Sequence, residues 1–141
     1  MINGTQLPYF SAITASASGL SAESLRMEVI ANNVANANTT RGVDGEPFRR
    51  QEVVFSSLLG DSDGSPGGVE VVDVRPDLSE LPRVYKPGHP HADADGYVTM
   101  PNIVVSNEMV DLIVASRAYE ANLNAIRTFT DMANSTLELL R

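Results

Sequence analysis

A repeating step of three and four residues, present at both ends of the chain, most restricts what this sequence can fold into. Phe10, Ile13, Ala17, Leu20, Ser24, Met27, Ala31 and Val34 form one stripe. Met109, Leu112, Ser116, Tyr119, Leu123, Ile126, Thr130, Ala133, Leu137 and Leu140 form the other. That alternation is the seam of helices that supercoil on one another. No proline interrupts either segment, and Gly19 is the one glycine inside them. A helix of about 30 residues is roughly 45 Å long.

The seams are poor in bulk. Ala17, Ser24 and Ala31 on one side, and Ser116, Thr130 and Ala133 on the other, bury little. A buried Leu, Ile or Phe stabilises by about 1.5–3 kcal/mol, against about 1–2 kcal/mol of backbone entropy for each ordered residue. Two such helices are marginal alone, but small seam residues let them approach several neighbours closely. The helices therefore read as incomplete by themselves and finished by other molecules.

Between the stripes the composition changes. Residues 40–102 carry every proline except Pro8 and most of the glycine. The β-prone runs RRQEVVF, VEVVDV, LPRVYK and GYVTM alternate there with turn signals, and GDSDGSPGG (60–68) reads as a flexible connection. The expected fold is α+β: long N- and C-terminal helices packed as a coiled coil, with a small β-rich middle segment. The helical part is discontinuous, 1–39 with 103–141. The insert, 40–102, reads as hairpins standing off the helical ends.

Charge narrows the function. The 141 residues carry a formal net charge of −8, and the pI is near 4.6. A nucleic-acid binder needs Lys and Arg to neutralise phosphates, and an anionic membrane surface selects cations too. Absence of cysteine removes disulfides, Cys-ligated zinc and thiol nucleophiles. The first charged residue is Glu23. The segment before it lacks the basic start and continuous apolar core of a Sec signal and is too polar to span a bilayer.

HPHADADGYV (89–98) imitates a metal site, holding both histidines and an Asp-x-Asp-Gly. Placing Gly96 at the sixth position of a calcium loop leaves Asn102 where a bidentate Glu is required, and starting at Asp93 puts Val98 at the glycine position. The tract around Asp61 puts Glu70 correctly but begins on Leu59, which cannot coordinate. His89 and His91 have no further His or Cys to complete a zinc shell. Nucleophile-elbow, phosphate-loop and dinucleotide motifs are missing. Neither an enzyme, a cofactor nor a metal is expected, and Arg49–Arg50 reads as a solvated strand edge.

Four asparagines, Asn32, Asn33, Asn36 and Asn38, crowd the end of the first stripe. Asn suits a helix C-terminus, yet four exceed what one cap needs. Amides that both donate and accept can tie a helix end to adjacent backbone.

ANNVANANTTRG, following a Ser/Ala-rich N-terminal segment, resembles the signature of bacterial flagellar rod and hook proteins. KPGHPHADADGYVTMPNIVVSNEMVDLIVASRAYEANLNAIRTFTDM resembles the C-terminal half of their proximal-rod members, and GVDGEPFRRQEVVF resembles the insert after their first helix. The likeness runs from Leu7 to Leu140 and is weakest over 56–68. It implies a structural, self- and co-assembling subunit of the basal-body rod, the drive shaft that transmits motor torque. HPHADADGYV is then a structural turn. The subunit leaves unfolded through the flagellar type III export apparatus, without a cleaved signal peptide, for the periplasm-spanning rod. Its partners are other copies, other proximal-rod subunits, the rod-base adapter and distal rod proteins. The resemblance implies that Phe10, Ile13, Leu20, Met27 and Val34 face Met109, Leu112, Tyr119, Leu123, Ile126, Leu137 and Leu140, within or between subunits. It also implies that Asn32, Asn33, Asn36, Arg117, Tyr119 and Asn122 pin helix ends. A type III-secreted coiled-coil adapter, or another rod or hook protein, shares the stripes and the uncharged start. The adapter has no need of the asparagine signature.

Overall fold

The computed structural model describes the backbone of residues 8–59 and 66–139, and the side chains of 12–58 and 67–139. Helix α1 runs Pro8–Ala35 and α2 runs Val105–Leu139. Between them lie strands β1 (Gln51–Leu59), β2 (Pro66–Pro76), β3 (Arg83–Tyr85) and β4 (Tyr97–Thr99). Pro8 opens α1, where its fixed φ suits a helix and its missing N–H costs nothing. The strands form two separate antiparallel pairs, β1 with β2 and β3 with β4. All four fall on the runs read as β-prone. Most of the tract read as a flexible connection, residues 60–65, lies outside the described residues.

The helices pack antiparallel and in step. Gly19 meets the Asn122 side chain, and Asn33 bonds Glu108, so equal intervals on the two helices separate the two contacts. At the first contact an added Cβ would lie 2.8 Å from Asn122 Nδ2, so a larger residue there would make the Asn122 side chain shift. Ala22, Ile30 and Ala115 are buried along the same line.

The β1–β2 hairpin does not stand off the helices, as the sequence suggested. It lies along α1, fixed at both ends. At one end Gln51 bonds Asn33. At the other, the Val69 amide donates to Ser18 Oγ at 3.0 Å, and that hydroxyl donates to the Ala15 carbonyl. Gly68 permits this approach: it has φ +102° and an added Cβ would fall on Ser18 Oγ. A lone two-stranded hairpin is marginal in water, so it needs a helix to lie on.

The heptad stripe and the buried seam are not the same line. Gly19 and Asn33 on α1 meet Asn122 and Glu108 on α2, and Ala22, Ile30 and Ala115 are buried at positions in line with these contacts. The stripe sits one residue further on: Leu20 and Val34 on α1, Met109, Ser116 and Leu123 on α2. One residue is about 100° of helix rotation. Ile13, Leu20, Met27 and Val34 are half-buried, as are Leu112, Tyr119, Leu123 and Ile126, while Ala17, Ser24 and Ala31 are exposed. Leu137 is exposed. The Phe10 side chain and Leu140 lie outside the described residues.

Candidate assembly site

The polar centre of the molecule lies where α1 ends and α2 begins. Asn33, fully buried, uses its whole amide: Oδ1 accepts from the Gln51 N–H at 2.8 Å, and Nδ2 donates to the Gln51 carbonyl at 2.9 Å. The side chain thus treats Gln51 as a neighbouring strand would, and fixes where β1 starts. The same Nδ2 donates to Glu108 Oε2 at 2.9 Å. Glu108 is 1% exposed, in the first turn of α2, where the helix dipole favours a carboxylate. Its other oxygen accepts from Arg50 Nε at 2.5 Å. Arg50 also reaches Glu52 at 2.7 Å and Asp111 at 3.4 Å.

Arg50 is therefore no solvated strand edge. Burial alone would lower its pKa, but hydrogen bonding to Glu108 and the charges of Glu108, Glu52 and Asp111 outweigh that and raise it. The network continues through Asn102, whose Oδ1 accepts from the Arg50 amide and whose Nδ2 donates to Ser79 Oγ and the Asp77 carbonyl. Hydrogen bonds from Ser79 hold Asp77 below the ordinary aspartate value. Buried polar groups are stabilising when every member is satisfied. Here one network joins both helices, β1 and the 77–79 turn.

The other asparagines act locally. Asn36 Nδ2 donates to the Asn32 carbonyl and to Asn32 Oδ1, and Thr39 Oγ1 donates to Asn36 Oδ1. The end of α1 is closed by these side chains and not by left-handed backbone, since no described non-glycine residue has positive φ. Arg117, Tyr119 and Asn122 sit in the body of α2, so the pinning of helix ends falls to Asn33 and Asn36. Glu108 carried no motif that sequence reasoning could use. The available signal was a carboxylate in the first turn of a helix, where the dipole favours one.

HPHADADGYV is a chain of turns. Asp93 Oδ1 accepts from the Asp95 and Tyr97 amides, and Oδ2 pairs with Arg83. Gly96 takes φ +81° beneath Tyr85 and Pro87. The Tyr97 amide, reinforced by Arg83, holds Asp93 below its ordinary pKa despite some desolvation. His91 Nδ1 meets Thr40 Oγ1 at 2.7 Å, and His89 Nδ1 accepts from the His91 amide. These polar atoms are engaged in holding the loop to the end of α1. No group of three or more His, Cys, Asp or Glu among the described residues is placed to hold a metal ion. No helix among them is long and apolar enough to cross a membrane.

The stripe residues remain. A right-handed helix turns the same way from its contact line whichever way it runs. In an antiparallel pair, one step forward on each helix therefore points to the same side of the layer. Leu20 and Tyr119 line one groove there, with Ser24 and Glu28. The hairpin occupies the opposite side, reached from Ser18, one step back from Gly19. The two expected stripes thus share one side of the helix pair, most of their apolar members half-buried and Met109 55% exposed.

Comparison with known proteins gives the family. The family described as "Flagella basal body rod protein" matches residues 13–41, and "Flagellar basal body rod FlgEFG protein C-terminal" matches residues 94–139. The flagellar basal-body rod protein FlgC of Borreliella burgdorferi is 39% identical, the match covering 94% of this chain and 97% of that protein. FlgC of Salmonella typhimurium is 44% identical over 86% and 90% respectively, and FlgC of Bacillus subtilis is 39% identical over 92% and 97%. The likeness covers most of this chain and most of each relative. The chain belongs to the FlgC family of flagellar basal-body rod proteins, as a structural subunit and not an enzyme.

Proposed function

We propose that the open face of the helix pair is the surface through which this subunit builds the rod. Its helices pack there, in coiled-coil manner, against helices of other copies, of other proximal-rod subunits, of the rod-base adapter and of distal rod proteins. They form the inner layer of a tube that passes torque along its axis, and the β1–β2 hairpin, on the opposite side of the helix pair, faces outward. The chain reaches the periplasm-spanning rod unfolded, through the flagellar type III export apparatus, without a cleaved signal peptide. One observation carries this reading: by helical rotation Ile13, Leu20, Met27 and Val34 fall on the same side of the pair as Met109, Leu112, Tyr119 and Leu123, where Leu20 and Tyr119 line one groove. A second supports it. Met132, Leu137 and Leu139 near the end of α2 are 51%, 66% and 88% exposed, apolar side chains left for a neighbour to cover.

Leu123→Asp places a carboxylate on that face at a half-buried position. The variant is expected to be produced at normal level and to block rod assembly, because an unpaired charge in an apolar interface is costly. Normal motility, with the variant recovered in purified basal bodies, refutes the reading.

A further inference from the structure

The carboxylate buried at the head of the helix pair, where α1 stops and α2 starts, takes its cation from outside the pair. Glu108 is 1% exposed, and Arg50 is the single cation paired with it among the described residues. Neither helix can supply another. The one cation of α1 is Arg26, two turns before the Asn33 that bonds Glu108, which is about 10 Å along the axis. The first cation of α2 is Arg117, about 13 Å along the axis from Glu108. Asn33 is neutral, and a helix N-terminus supplies only about half an elementary charge. With the two heads closed and Arg50 elsewhere, Glu108 is an uncompensated buried charge, which is strongly destabilising.

Arg50 reaches that position only in a folded insert. Its carbonyl accepts from the Asp77 N–H at 2.7 Å, and its amide donates to Asn102 Oδ1 at 2.9 Å. The first bond extends the β1–β2 pairing one residue beyond the Gln51–Pro76 rung. The second ties Arg50 to the segment that leads into α2. The guanidinium is thus held in place once the hairpin has closed and residue 102 has docked. Its other partners, Glu52 and Asp111, have side chains 40% and 38% exposed, so water serves them without Arg50. Glu108 has no such recourse.

We infer that Glu108 is a lock on the helix pair: the heads of α1 and α2 stay apart until the insert has folded and delivered Arg50. The carboxylate does more than add a contact, because it forbids closure in the wrong order. The lock acts within one subunit and holds whichever face meets the neighbours.

Pulse-labelled amide exchange during refolding of the full-length chain tests the order. In the unaltered protein, α1 amides 30–35 and α2 amides 109–115 should gain protection no earlier than β1 amides 51–54. In Glu108→Met, with a side chain of similar length and no charge, the helix-head amides should gain protection before those of β1. An unchanged order in Glu108→Met overturns the inference. A second arm reads the folded state at equilibrium. Arg50→Met should speed exchange of the same helix-head amides about a hundred-fold or more. Adding Glu108→Met to Arg50→Met should restore their protection, since apolar side chains can replace a buried ion pair, and Asn33 has both of its bonds to Gln51 without them. Unchanged exchange in Arg50→Met overturns the lock. A double variant that exchanges as fast as Arg50→Met also overturns it, because the pair would then act only as a contact whose loss accumulates.

Discussion

Removing the Asn33 amide measures how far one side chain holds this fold together. Asn33→Ala leaves the Gln51 N–H and carbonyl without their partner and takes the Nδ2 donor from Glu108, three bonds of 2.8 to 2.9 Å. A buried group left unsatisfied costs about 1–3 kcal/mol. Gln51 is half-buried, so water recovers part of its loss, while Glu108 keeps Arg50. A total of about 3 kcal/mol follows, and each 1.4 kcal/mol is tenfold in an equilibrium. Amide hydrogen exchange on the full-length chain should show the Gln51 N–H exchanging about a hundred-fold faster in Asn33→Ala. Asn33→Asp keeps the Oδ1 acceptor but sets a carboxylate against Glu108, so its effect should be at least as large. Unchanged Gln51 exchange in Asn33→Ala, or a milder effect from Asn33→Asp, would refute the claim that this network fixes the strand to both helices.

Two further outcomes concern the 89–98 turn. Asp93 has a folded-state pKa below its ordinary value, so its contribution is present above the unfolded pKa and lost as pH falls through the folded one. Protection of the Tyr97 amide should accordingly fail only below the ordinary aspartate range, and Asp93→Asn should remove that pH dependence. Gly96 and Gly45 both have φ +81°, but an added Cβ meets Tyr85 at 2.9 Å only at Gly96. Urea unfolding should show Gly45→Ala losing about 1–3 kcal/mol from the backbone alone and Gly96→Ala losing more. Equal losses would contradict the packing described.

The element plan was legible because period-3.6 and period-2 patterns depend on local spacing. Both helices and all four strands lie where stripes and β-prone runs place them. What faces what was not legible. A stripe of Leu, Met and Ile marks apolar surface but does not say whether the chain itself or a neighbour covers it. The contacts between the helices that are seen fall to polar side chains, Asn122 against Gly19 and Asn33 against Glu108, which no apolar stripe marks. Arg50 was misread because its partner Glu108 lies 58 positions away, and ion pairs at such separation leave no periodic trace. Asn33 was singled out by asparagine density, but its grip on Gln51 depends on how the insert folds back.

The most direct measurement compares amide hydrogen exchange across α2 residues 124–139 in the free subunit and in assembled rods. Residues 131–139 are exposed in the isolated chain. That stretch should exchange quickly when free and become strongly protected in the rod. Equal, strong protection in the free subunit would mean the helix is already complete, contradicting an account in which neighbours finish it.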